Sequence, residues 1–218
     1  MTEPDVTLTD YAIAVECAVF CALILRSPTS DVRLRRWWAV LFASIGAGAV
    51  LGGTVHGFTV EPSLPRAILW VLTMLALGVT ALAMWMAGAR VYLPEPAATW
   101  VARAAIAQLI TYAFVVLFVN RLFLVAIATY LPAAVFLLVV MILMYRRMPN
   151  RPLALTIAGL LLTFVAAGIQ QAGIAVHPVY FNHNALYHVI QGVALFLIWV
   201  GAKWLVTAAP GSSVRETG

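Results

Sequence analysis

The sequence predicts an all-α polytopic membrane protein, a single domain of seven transmembrane helices, and three observations predict it. The 218 residues are 64% hydrophobic and only 10% charged, whereas an ordinary soluble domain is about half apolar and about a quarter charged. Mean hydropathy is +0.99. Charged and proline-bearing stretches divide the chain into seven apolar runs, each close to the roughly 20 residues a helix needs to cross a hydrocarbon core about 30 Å thick. A soluble, disordered or nucleic-acid-binding protein is excluded on composition alone. The net charge of +5 is therefore no polyanion site, because basic residues in such a chain chiefly record which loops stay in the cytoplasm.

The first run, 8–25, follows Met1-Thr2-Glu3-Pro4-Asp5, which lacks the basic region of a cleaved signal peptide. Its Cys17 and Cys21 read as small buried apolar side chains. The second, 38–60, holds Gly48 with Gly52 and Ala49 with Gly53, each pair four apart, a spacing that lets a neighbouring helix approach closely. The third, 67–89, ends at Arg90, and only Asn120 and Arg121 part the fourth, 101–119, from the fifth, 122–145. Pro132 is expected to kink the fifth, with neighbours satisfying the freed carbonyl. The sixth, 153–175, ends near Gln170-Gln171, and the segment from His177 leads into the seventh, 184–207. Trp37, Trp38, Trp70, Trp100 and Trp204 lie near run ends and read as interface anchors. Met74, Met84, Met86, Met141 and Met144 read as packing or lipid-facing residues.

The basic residues set the expected orientation. Arg26, Arg33, Arg35, Arg36, Arg90, Arg103, Arg146, Arg147, Arg151, Lys203 and Arg215 share one side, and only Arg66 and Arg121 fall on the other. The positive-inside rule then places the N-terminus outside and the C-terminus in the cytoplasm. Glu3, Asp5, Asp10 and Glu61 fall outside. Compact loops suggest a bacterial plasma membrane.

Ionisable groups inside a bilayer are costly, so each is a functional candidate. They are few: Glu16 in the first run, His56 in the second, His188 in the seventh, joined by Gln170, Gln171, Asn184 and Gln191. Counted from the flanking polar residues at about 1.5 Å per residue, Glu16, His56, Gln171 and His188 lie about 6–9 Å below the outer boundary. All four histidines fall in this outer layer. Asn184, His188 and Gln191 are spaced i, i+4 and i+7 and share a helix face. His183 could converge with them if it belongs to the loop before the helix.

Two histidines and a carboxylate are a common zinc shell with a fourth position open to water. Such a metal lowers the pKa of its water towards ~7 and polarises a carbonyl for hydrolysis of an amide or ester. The candidate ligands are His56, His188 and Glu16, with Asn184 or His183 as a further ligand or an orienting group. Glu16 is alternatively the general base, or a protonated acid bonded to a carbonyl. Gln170 and Gln171 read as structural glue between helices.

The layout resembles the superfamily of seven-span membrane hydrolases and receptors that includes alkaline ceramidases and adiponectin/progestin receptors, often called CREST. The matching positions are His56 for its span-two histidine, Asn184-Ala-Leu-Tyr-His188 for its span-seven His-x-x-x-His, and Glu16 for an acidic residue of the ceramidase first span. The resemblance implies zinc and hydrolysis of a lipid-like amide or ester, with His56 and His188 on the metal, Glu16 as ligand or base, and Asn184 orienting water or substrate. Departures from the pattern are Gly52 at the family serine, Asn184 at the first span-seven histidine, and no aspartate in the second or third run. Two other expectations stand beside this one. A non-catalytic receptor, small-molecule binder or complex subunit would use the same polar layer as a pocket, and a haem protein would use His56 and His188 as axial ligands. Membrane lipids and a lipid-like substrate are the expected partners; no protein partner is indicated.

Overall fold

A computed structural model describes residues 1–208. Seven helices follow in order: α1 (Pro4–Arg26), α2 (Val32–Phe58), α3 (Leu64–Tyr92), α4 (Glu95–Phe118), α5 (Phe123–Arg147), α6 (Arg151–Gln171) and α7 (His183–Thr207). All seven are long and apolar enough to cross a bilayer. Helices α1, α2, α3, α5, α6 and α7 close a ring, and α4 leans on the outside of α3 with little contact to α5.

The helices outrun the apolar runs at several ends. α1 starts at Pro4, α2 at Val32 and α4 at Glu95, because the hydropathy pattern marks the hydrocarbon while a helix continues into its charged flanks. Local chemistry fixes those ends. Pro4 and Asp5 occupy the first turn of α1, where a missing amide costs nothing and a carboxylate meets the positive end of the helix dipole. Asp31, Ser63, Asn150 and Asn182 cap α2, α3, α6 and α7 by accepting from backbone amides of the first turn. α6 ends at Gln171 rather than 175. Gly173, with φ of 67°, starts the turn out of it, a conformation open to glycine without steric cost.

Small residues set the helix spacing. Cβ atoms added at Gly46, Gly53 and Gly57 would meet Cys17, Asp10 with Tyr11, and Thr7, so α1 lies directly on the glycine face of α2. Gly48 turns towards Ala76 of α3, and Gly52 lies between Asp10 of α1 and Thr73 of α3. Between α6 and α7, a Cβ at Gly159 would stand 2.6 Å from the Ala194 carbonyl. Cys17 is fully buried and Cys21 half-buried. Met74, Met84, Met141 and Met144 are core residues. Trp38 departs from its expected role: it is fully buried, because its position on α2 turns into the ring towards the core, while Trp100 on the outlying α4 stays exposed at 68%.

Candidate functional site

A cavity of about 530 Å³ opens inside the ring, towards the end of the bundle that carries the N-terminus, with walls from α1, α2, α3, α5, α6 and α7. Its polar lining includes Asp10, His56, Gln170, Asn184, His188 and Gln191. Its apolar lining includes Ile13, Ile45, Leu77, Ile127 and Phe164. Asp10, His56 and His188 share one level, whereas the apolar lining runs from that level downwards, Ile127 beside them and Ile45 and Leu77 far below. At about 1.5 Å per residue, Asp10 lies about 9 Å from the start of α1, His188 about 7.5 Å from the start of α7 and His56 about 3 Å from the end of α2. Ile45 and Leu77 lie about 20 Å down their helices by the same measure. Asp10, His56 and His188 therefore sit at the mouth, and the depth is mostly apolar, with Gln191, Thr80 and Thr163 as its polar groups.

His188 is gripped on both sides by α1. Its Nε2 lies 3.3 Å from Asp10 Oδ1, and its Nδ1 lies 3.1 Å from Thr9 Oγ1. Asp10 itself is 6% exposed. A carboxylate at that burial is tolerated only when paired, and the imidazole of α7 is its partner. Nearby, Gln170 donates to Asn184 Oδ1 at 3.0 Å and Gln191 donates to Thr163 Oγ1 at 3.4 Å. The Gln191 Oε1 acceptor is buried without a partner among the described residues.

His56 sits under the N-terminal segment. Glu3 Oε2 lies 3.2 Å from its Nδ1, off the line a hydrogen bond needs, and that nitrogen has no other partner among the described residues. The Thr2 amide donates to the Gly57 carbonyl at 3.2 Å, and the Thr2 hydroxyl donates to the His56 carbonyl. Asp5 accepts from the Asn182 amide at 2.9 Å. Residues 1–5 are thus stitched both to the end of α2 and to the α6–α7 connection.

Of the sequence-derived candidates, His56, His188, Asn184, Gln170, Gln171 and Gln191 line one cavity. Glu16 and His183 are not among its lining residues. Glu16 lies about 18 Å along α1, below the rim, and its carboxylate reaches the backbone at Gly192, where an added Cβ would stand 3.2 Å from Oε2. His183 opens α7 beside its cap. His177 accepts from the amides of Val179 and Tyr180 and pairs with Phe181 through a short bridge, so it shapes the connection.

The implied zinc can be tested against these side chains. Among the described residues, no group of three or more His, Cys, Asp or Glu comes together in a way that could hold a metal. The Nδ1 of His188 is bonded to Thr9 and its Nε2 faces Asp10 at 3.3 Å, and Glu16 is remote from the rim. The donor set as folded does not fit a three-residue metal shell, and axial ligation of a haem would ask the same nitrogen of His188.

Residues 6–206 match a family described as being of unknown function, DUF6962. The chain belongs to that family. No curated protein and no solved structure matches it.

Sequence reasoning missed Asp10, which was expected outside the membrane. The signal was present: Pro4 followed by Asp5 marks a helix start, which puts Asp10 nearly two turns inside α1 and in need of a partner. That the partner is His188, 178 positions later in the sequence, is a fact of tertiary structure.

Proposed function

We propose that this chain binds a lipid-like amphiphile within the membrane, head group at the rim formed by Asp10, His56 and His188 and tail among the apolar side chains below. One observation carries the reading: a single cavity of about 530 Å³ has Asp10, His56 and His188 at one end and runs down between apolar side chains such as Ile45 and Leu77. That volume lies within the roughly 300–1,000 Å³ of small-molecule sites. Among the described residues no Lys or Arg lines the cavity, which favours an uncharged head group over an anionic one. An N-out orientation in a bacterial plasma membrane, with 11 of the 13 basic residues inside, puts the rim near the outer leaflet. Native mass spectrometry of the purified protein with added monoacylglycerol tests the reading. One bound molecule is expected, and it is lost when Ala126→Phe fills the cavity wall. No bound adduct, or binding indifferent to that substitution, overturns it.

Hydrolysis of an amide or ester in the bound amphiphile is a second reading, favoured by the pairing of Asp10 with His188 at the cavity. A carboxylate against one ring nitrogen orients an imidazole for proton transfer. Release of fatty acid from a monoacyl ester or amide, abolished by His188→Ala and depressed by Asp10→Asn, would move the conclusion to an enzyme. A chain that binds these compounds and leaves them intact is a binder.

A further inference from the structure

The rim is bordered by the N-terminal segment. Residues 1–5 lie across the ends of α2 and the α6–α7 connection through the Thr2, Glu3 and Asp5 contacts. The remaining wall is uneven. Among neighbouring helices that surround the cavity, α5 and α6 share the least contact, far less than α1 with α2, α2 with α3 or α6 with α7. On this seam the cavity lining reaches the outer surface. Leu131 of α5 lines the cavity and is 45% exposed. Gly168 and Gln171 of α6 line it and are exposed as well. A Cβ built on Gly168 would meet nothing within 4 Å, unlike the glycines at the α1–α2 and α6–α7 crossings. A side chain there would stand in an open slot.

We infer that the α5–α6 seam is a lateral portal through which a membrane-dissolved ligand enters the cavity, with Gly168 and Leu131 as its two jambs. This rests on the amphiphile-binding reading above and adds the route and the source: the ligand partitions into the bilayer first and crosses between two helices. Leu131 of α5 and Phe164 of α6 line the cavity on the two sides of the seam, so a tail can pass without losing its apolar surroundings. The head group has Gln171 at the outer end of the same seam and Asn184 and His188 inside.

A photolabelling time course tests the portal. The full chain is reconstituted in phosphatidylcholine vesicles and mixed with vesicles carrying a monoacylglycerol that bears a diazirine midway along its acyl chain. Labelled residues are mapped by mass spectrometry after flashes at increasing delay. Adducts on the lipid-facing surface report delivery to the bilayer, and adducts on cavity residues such as Ala167 and Phe164 report entry. Gly168→Phe and Leu131→Trp, placed on facing helices, are each expected to slow cavity labelling about tenfold with surface labelling unchanged. Val165→Phe, on the exposed side of α6 outside the cavity lining, should leave the rate as in the wild type. Cavity labelling at the wild-type rate in both plugged variants overturns the portal and leaves the binding reading standing. No cavity labelling in the wild-type chain overturns both. A lowered final extent at unchanged rate marks Gly168 and Leu131 as cavity floor, and also overturns the portal.

Discussion

Removing the Asp10 carboxylate should loosen α1 from α7 by a measurable and specific amount. Asp10→Ala keeps the Cβ that packs over Gly53, so the α1–α2 crossing survives and the loss is confined to the group facing His188 Nε2 at 3.3 Å. Side chains in direct contact couple by about 0.5–3 kcal/mol. Thr9 still holds Nδ1 at 3.1 Å, so about 1–2 kcal/mol is expected, within that range. For a chain of this size that corresponds to about 2–8 °C in melting temperature. The protein carries its own reporter: Cys17 is fully buried and reacts with a thiol dye only on unfolding, while the half-buried Cys21 is removed as Cys21→Ser to lower the background. The decisive measurement is the cycle of Asp10→Ala, His188→Ala and the double variant. A coupling of at least about 1 kcal/mol is expected for side chains in direct contact. Additivity within about 0.5 kcal/mol would show that the two side chains do not support each other, and the account of the rim would fail.

Three further outcomes follow from the same geometry. Gly159→Ala should cost about 1–3 kcal/mol because its methyl group would meet the Ala194 carbonyl at 2.6 Å, whereas Gly168→Ala should leave the melting temperature unchanged or slightly raised; equal effects in thermal melts would contradict the packing described. Glu16→Gln should leave monoacylglycerol binding within about twofold of wild type, since Glu16 lies outside the cavity lining; a loss of about tenfold or more, near 1.4 kcal/mol, would return it to the site. A reporter fused after Thr207 should be active only on the cytoplasmic side, and activity on the opposite side would reverse the orientation derived from the arginines.

Much of the architecture could be read from composition, because a bilayer leaves few choices: a run of about 20 apolar residues must satisfy its own backbone hydrogen bonds, and a helix does so. The site was legible in part. His56, Asn184, His188 and Gln191 stand out as polar residues within apolar runs, and the shared level of the histidines hinted that they meet. Glu16 shows the limit of that reasoning, since depth along a helix says nothing about which way a side chain turns, and here α1 presents Asp10 to the cavity while Glu16 reaches Gly192.

What the sequence determined by itself was the number of helices, the end of the bundle where ionisable groups gather, and the residues available to a ligand, all of which follow from the cost of placing polar atoms in hydrocarbon. The tertiary structure decided the pairings. It chose Asp10 as the partner of His188, left Gln191 with an unmatched acceptor, tied residues 1–5 to the end of α2 and the α6–α7 connection, and left α5 and α6 with little contact. Each depends on the rotation of one helix against another, which is set by where small residues allow contact across the ring, and no local pattern within a single helix carries that information.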